Sequence, residues 1–272
     1  MKASLILVSK DEEKHIPGFL ESLEKQTRKP DEIILVDSSS DSTPELMRPY
    51  VTKLITIEPR GCGQARITAI ENSTGDIIVF TDFDEVLYPD WFEKLLRPFE
   101  DQSVMVVQGR VFTKNYDGSD EHGIFSDGLA EHGKYICGCN VAFRRSVLDE
   151  FQIDPHQTWE DIELGYRISK KYDIYGARDA IVYHYGPSPE YTKNRDVRNS
   201  ALWSGVGWSR ILLKHKNLHW FLRIYYNIFN VILAHGFKTF LYYFYYFHYA
   251  LLHELMHKPV KKQTGDNVRK VI

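Results

Sequence analysis

Two acids one residue apart, Asp82 and Asp84, follow the apolar run Ile77-Ile78-Val79-Phe80. Carboxylates at that spacing can share a hard divalent cation, whose remaining positions go to water and substrate phosphates. A third acid, Asp37, closes another apolar run, Glu32-Ile33-Ile34-Leu35-Val36, and opens the polar stretch Ser38-Ser39-Ser40-Asp41-Ser42-Thr43. Asp37 could accept hydrogen bonds from a base or ribose while Asp84 binds a metal. The segment Gly61-x-Gly63-x-Ala65-Arg66 is too short for a dinucleotide fingerprint and lacks the Lys-Ser/Thr of a P-loop. It still lets backbone approach a ligand, and Arg66 offers phosphate a planar donor fork. Trp159-Glu160-Asp161 stands before a helical stretch, where acids suit either a first helical turn or general-base work. Taken singly, each piece is also an ordinary solvated loop or turn.

The elements that must hold these residues follow from the apolar pattern. Strands are predicted at 4–8, 32–36, 53–57 and up to Asp82, with helices near 14–26, 44–50 and 64–73 between them. That βαβαβαβ rhythm predicts a mainly parallel sheet with right-handed crossovers, and puts Asp37 and Asp82 at the carboxyl edge, where such sheets bind ligands. The two acids can lie side by side there. Further on, 104–107 and 111–112 read as a strand pair or one bent strand, 161–171 as a helix, and 180–184 as a last strand ending in His184. The Gly-, Asp- and His-rich stretch 114–134 reads as a mobile loop.

At 272 residues the chain suits one large α/β domain with an appendage. Charge is unevenly spread: residues 1–196 hold 23 Lys and Arg against 35 Asp and Glu, whereas 197–272 hold 11 against only Glu254 and Asp266. No nucleic-acid partner is expected. Cys62, Cys137 and Cys139 suit a reducing compartment, and Cys137-x-Cys139 lacks a second ligand pair at zinc spacing. The run Ser4-Leu5-Ile6-Leu7-Val8 has no basic region or cleavage site, so it reads as a first strand in a cytosolic protein.

In order, the motifs are Ser9-Lys10-Asp11-Glu12-Glu13 after the first strand, Val36-Asp37-Ser38 and its serine-rich continuation, and Gly63-Gln64-Ala65-Arg66. Then come Gly75 to Asp84, Pro89-Asp90-Trp91, Gly138-Cys139-Asn140 with Arg144-Arg145, and Trp159 to Leu164. Over roughly residues 3–190 this series resembles the family-2 inverting glycosyltransferases of the GT-A fold. The resemblance implies a nucleotide-diphosphate sugar bound over the sheet edge and Mg²⁺ or Mn²⁺ as cofactor. It assigns Ser9, Glu12, Asp37, Ser38, Arg66, Asp82 and Asp84 to the donor, and Asp84 and His184 to the metal. Gly138, Asn140, Trp159 and Glu160 fall on the acceptor side, and Asp161 becomes the general base. Ser38 departs from the pattern, since many members carry a second Asp there for uracil, so thymidine and guanosine donors stay open. Arg195 and Arg198 could close over the diphosphate.

The remaining stretch differs in kind. From Val197 to His253 there is no acid, and residues 201–253 contain 16 of the 37 aromatics. Helices are predicted near 197–215, 217–235 and 238–257, with uncharged pieces too short to span a bilayer comfortably. Trp, Tyr, Lys and Arg favour the membrane interface, so 197–257 is expected to lie on a membrane or to form a homo-oligomer face. A helical subdomain capping the core and a spanning hairpin are the competing readings. The expectation is therefore a GT-A domain over 1–195 and a helical appendage over 196–272. Its function would be metal-dependent inverting transfer to a lipid-linked or glycan acceptor at the inner face of a membrane. A polyprenyl-phosphate sugar synthase and a catalytically silent scaffold are the alternatives.

Overall fold

Continuous apolar runs become strands here because both faces of the sheet are covered. In the computed structural model, which describes residues 1–114, 120–121, 135–155, 159–185, 197–216 and 218–256, β2 (Glu32–Asp37) and β4 (Ile77–Thr81) are buried at every position. Successive residues then feed opposite layers. Leu5 and Leu7 of β1 (Ala3–Ser9), with Leu35 and Val79, pack with Phe19 of α1 (Ile16–Glu24) and with Trp91 and Phe92 of α4 (Trp91–Leu96). Ile6, Ile34, Ile78 and Phe80 face the other way, toward Ala65 and Ala69 of α3 (Cys62–Glu71). That second layer also takes Leu164 and Ile168 of α6 (Glu160–Ile168).

The chain divides into two compact units. The first holds the sheet, in the order β3-β2-β1-β4-β8-β6-β9-β5, where β3 is Lys53–Thr56, β5 Glu85–Leu87, β6 Val106–Lys114, β8 Asn140–Arg144 and β9 Ile174–Tyr185. A two-residue strand, β7 (Asp120–Glu121), pairs with β6. Strands β3, β2, β1 and β4 run parallel. From β4 onward the sheet is mixed, since β8 pairs antiparallel with both β4 and β6. Of the stretch 104–112, residues 106–112 belong to the single strand β6, whose pairing to β9 is irregular between Gly109 and Arg110. Short helices α2 (Thr43–Met47) and α5 (Arg145–Glu150) complete the unit. The loop expected over 114–134 lies outside the described residues apart from Lys114 and β7, as does Arg195.

Strand order corrects one expectation. Asp37 and Asp82 are not on neighbouring strands, because β1 lies between β2 and β4 and puts Ser9 opposite Asp37.

The second unit holds Trp159, α7 (Val197–His215) and α8 (Leu218–Leu255). Helical structure is unbroken through α8, yet the Tyr225 hydroxyl lies 2.9 Å from His248 Nε2, 23 positions away. A straight helix would separate them by about 35 Å, so α8 folds back on itself. Where two helices were expected, at 217–235 and 238–257, helical structure runs on without a break as two arms of one element. Trp208 of α7, Ile224 and Ile228 of the first arm and Phe247 of the second form a buried core. Gly205 lets α7 approach α8 closely: a Cβ there would stand 2.7 Å from the Tyr246 carbonyl oxygen.

Candidate active site

The loops expected to meet the donor are built from the first two strand ends. Ser9 Oγ donates to Asp37 Oδ1 at 2.6 Å, and Ser39 Oγ donates to the same oxygen at 2.6 Å. The Ser38 N–H and hydroxyl both donate to the Ser9 carbonyl, at 3.0 and 3.1 Å. Asp37 is fully buried and held in one orientation. Beyond it, the loops 10–13 and 38–43 are stitched together. Asp11, at φ 59°, accepts from the Ser40 N–H at 2.8 Å, and the Glu12 N–H donates to Thr43 Oγ1 at 2.9 Å. Serine and threonine are needed because these loops have no strand ladder, so short side chains complete their backbone hydrogen bonds.

Asp82 and Asp84 leave β4 on a turn that Glu85 anchors. Glu85 Oε2 accepts from Thr81 Oγ1 at 2.5 Å and from the Asp82 N–H at 3.2 Å, in a buried position. Asp84 Oδ2 lies 3.3 Å from His184 Nε2, and the Tyr185 N–H donates to the Asp84 carbonyl at 2.8 Å. The pairing of β5 with β9 sets Glu85 opposite His184 and so delivers the histidine to Asp84. Negative charge accumulates here. Burial first, then Asp84 and Asp82, push the Glu12 carboxyl up to about 7. Loss of solvent and the charge of Asp84 push Asp82 up to about 6, against the opposing pull of Arg66. Among the described residues no three His, Cys, Asp or Glu side chains are grouped as a self-sufficient metal site. A cavity of about 240 Å³, lined by Lys14, His15, Phe83, Glu85 and Tyr185, adjoins the turn. It is small for a nucleotide-sugar.

The third cluster centres on Arg66, which is 5% exposed. Its Nη1 donates to Glu160 Oε1 at 2.7 Å, its Nη2 donates to the Gly138 carbonyl at 3.0 Å, and Asp82 Oδ1 stands 3.6 Å away. The fork expected to face phosphate is thus engaged with protein groups. Asp161, in the first turn of α6, accepts from the Gly138 N–H at 2.9 Å through Oδ2. Each of its oxygens has lone-pair capacity left for a hydroxyl.

Two residues expected on the acceptor side have partners within the protein. Asn140 is fully buried, accepts from Trp91 Nε1 at 2.8 Å and donates to the Arg110 and Ala180 carbonyls. Both of its N–H donors and its amide oxygen brace β8 against β6, β9 and α4. Trp159 belongs to the helical unit, where its ring stacks on Trp208 at 6.4 Å. Its φ of 65° is rare for a bulky residue and costs on the order of 1–3 kcal/mol. Glu85 and Ser39 are the residues that sequence reasoning missed. Glu85 stands directly after Asp84, and an acid inside an apolar strand was the available signal.

A mixed sheet with acids along the carboxyl edge of its parallel half, a carboxylate-histidine pair and a further carboxylate on a helix is the architecture of a GT-A glycosyltransferase. The chain belongs to glycosyl transferase family 2, whose model matches residues 4–151. It is similar to the O-antigen chain rhamnosyltransferase WbaN of Salmonella anatum, 27% identical over 66% of this chain and 65% of that protein. A dolichyl-phosphate hexose transferase of Haloferax volcanii is 30% identical over 55% of this chain and 69% of its own. The Bacillus subtilis protein EpsH is 36% identical, but the match spans only about a third of its length, 32%, and 38% of this chain. Among solved structures, the Pyrobaculum calidifontis mannosyltransferase PcManGT shares the fold with a TM-score of 0.60 at 20% identity, over 79% of this chain and 64% of that one. S. aureus TarS 1-349 also gives 0.60, at 14% identity, over 98% and 95%.

Proposed function

We propose that the chain is a metal-dependent inverting glycosyltransferase, moving a hexose-class sugar from a nucleotide-diphosphate sugar to a hydroxyl of a lipid-linked or glycan acceptor. The observation that carries this reading is the alignment of Asp37, Asp82 and the Asp84–His184 pair at the strand ends, together with Asp161 held by Gly138. Asp37 and Ser9 offer oxygens to a base or ribose, and Asp82 to the ribose side. One carboxylate and one imidazole suit Mn²⁺ or Mg²⁺ and leave room for diphosphate oxygens and water. Burial first, and then mutual repulsion with Asp84, raise Glu12 and Asp82, and a divalent cation would relieve the repulsive part, so these residues fit the ion. Bound there, it would stabilise charge on the departing diphosphate.

Asp161 takes the proton of the acceptor hydroxyl as that oxygen bonds to the anomeric carbon. The diphosphate leaves from the opposite face with the bonding electrons, so one displacement inverts the sugar. Relatives support the donor and acceptor classes: PcManGT is described with GDP-Man and Mn²⁺, TarS with UDP-GlcNAc, and the Haloferax protein as a dolichyl-phosphate hexose transferase. Ser38 leaves the base open.

The test is turnover of a UDP-, GDP- and dTDP-sugar panel with Mg²⁺ or Mn²⁺, with the anomer of the product read by NMR. Inverted product that disappears with EDTA is expected. A retained anomer, or turnover indifferent to EDTA, overturns the reading.

The same reading extends to the helical unit as a peripheral attachment to the cytosolic face of an anionic membrane. No helix among the described residues is long and apolar enough to cross one. Exposed Phe221, Leu222, Tyr226 and Phe229 on one arm of α8, and Leu241, Phe244, Tyr245 and Leu252 on the other, recur at helical spacing in an acid-free stretch. A second copy of the chain covering the same faces is the competing outcome.

A further inference from the structure

Arg66 is a buried cation whose donors end on groups adjoining the base. Its tightest partner, Glu160 at 2.7 Å, precedes Asp161 in the first turn of α6. Its second partner, the Gly138 carbonyl at 3.0 Å, belongs to the residue whose N–H holds Asp161 at 2.9 Å. The guanidinium carbon also lies 5.0 Å from the centre of the Phe80 ring, so the group is fixed from a further side. A Cβ at 138 would come 2.5 Å from Nη1 and 2.7 Å from Nη2, so any other residue there would displace the guanidinium. A planar fork bridging a carboxylate and a carbonyl is an orienting device that lysine cannot reproduce.

We propose that Arg66 and Glu160 are a positioning pair for Asp161, fixing its helix turn and keeping the guanidinium charge off it. The proposal rests on Asp161 being the base. The charged groups facing Asp161 are Glu160 on its own helix, Arg66 of α3 and Asp82 beyond β4, besides the Gly138 N–H. Burial pushes the Glu160 carboxyl up, and the Arg66 guanidinium 2.7 Å away opposes that and takes the carboxylate as its counter-charge. Remove that charge, and the guanidinium turns its field on Asp82 and Asp161. A carboxylate beside an uncompensated arginine holds its proton less tightly and is a weaker base. The hydrogen bonds of Arg66 end on Glu160 and Gly138, with Asp82 only at 3.6 Å, so loss of the pair should appear mainly in kcat.

The test measures kcat, donor KM and the pH–rate profile of full-length Glu160→Gln, Arg66→Lys and Asp161→Asn. The substrate is whichever member of the UDP-, GDP- and dTDP-sugar panel the wild type turns over fastest with Mn²⁺. Glu160→Gln, which keeps size and shape, should lower kcat by about tenfold or more. It should leave donor KM within about twofold, and move the acid limb of the profile to lower pH. Arg66→Lys should lower kcat without the acid-limb shift, because charge stays paired while the fork is lost. A rise in donor KM with kcat preserved in either variant would make Arg66 a donor-binding residue and overturn the proposal. So would a fall in kcat with an unmoved acid limb in Glu160→Gln, which marks a purely structural pair. Asp161→Asn separates the two levels. Wild-type turnover in that variant removes the base and this proposal together, whereas its collapse beside an unaffected Glu160→Gln removes the proposal alone.

Discussion

The two units of this chain use the same currency, buried apolar surface, but leave opposite things in solvent. In the sheet unit, strands such as β2 and β4 are buried throughout, and polar groups are set at the carboxyl ends, oriented by short Ser and Thr hydrogen bonds. In the helical unit, Trp208, Ile224, Ile228 and Phe247 close a small core, while Phe221, Tyr226, Phe229, Phe244 and Tyr245 stay exposed. The first arrangement is suited to a small charged ligand and the second to an extended apolar surface. Scattered exposed apolar residues are normal on any protein. Their recurrence at helical spacing within an acid-free stretch is what sets the second unit apart.

The largest effect that this contrast predicts is confined to the sheet edge. Asp161→Asn should lower turnover by about 10²-fold or more while nucleotide affinity holds. Asp84→Asn should abolish turnover and make nucleotide binding, followed by calorimetry, indifferent to Mn²⁺. Neither change should alter association of the chain with lipid; if it does, the two units do not divide the work as argued.

Next comes the helical surface. Replacing Leu241, Phe244 and Tyr245 with Ser should reduce flotation with anionic vesicles by about tenfold, and high salt should weaken it further in part. Phe247 is unsuitable for this test, because it is fully buried. Flotation unchanged in the variant would remove the membrane assignment, and a concentration-dependent dimer that dissociates in the variant would assign the surface to a second copy.

A smaller effect separates packing from binding inside that unit. Gly205→Ala would set a Cβ 2.9 Å from the Phe247 nitrogen, against rigid backbone. The cost should be about 1–3 kcal/mol, visible as a lower melting temperature with the catalytic rate on soluble substrate retained.

The smallest effect belongs to the far end of the strands. Burial alone would raise the Glu32 carboxyl, but hydrogen bonds from Ser4, Thr74 and Lys2 outweigh it and hold it down to about 2, against an ordinary 4.5. A depressed carboxylate contributes stability that is present above about pH 4.5 and lost as pH falls toward 2. Glu32→Gln should therefore cost about 1–2 kcal/mol at neutral pH and flatten the acid side of the stability curve between those values. Chemical denaturation across pH 2–7 checks this, and an unchanged slope would count against it.

The sequence by itself determined the parallel half of the sheet, because short β-branched runs such as Ile33-Ile34-Leu35-Val36 and Ile77-Ile78-Val79-Phe80, alternating with helical stretches, suit strands buried on both faces. It also marked Asp82, Asp84 and Asp161, since acids closing an apolar run or opening a helix leave a local signature. It predicted helix over most of 217–257, though nothing local showed that Tyr225 would meet His248. Partners were beyond its reach. Ser9 standing between Asp37 and Asp82 follows from strand order, a long-range pairing that no window of sequence encodes. Asn140 looks like any exposed polar residue near a motif until β6, β8, β9 and α4 converge and consume its amide. Arg66 reads as a phosphate fork until Glu160, 94 positions away, takes up its Nη1. Hydrogen-bond capacity is finite, and whether ligand or protein satisfies it is decided by which distant groups the tertiary fold brings within 3 Å.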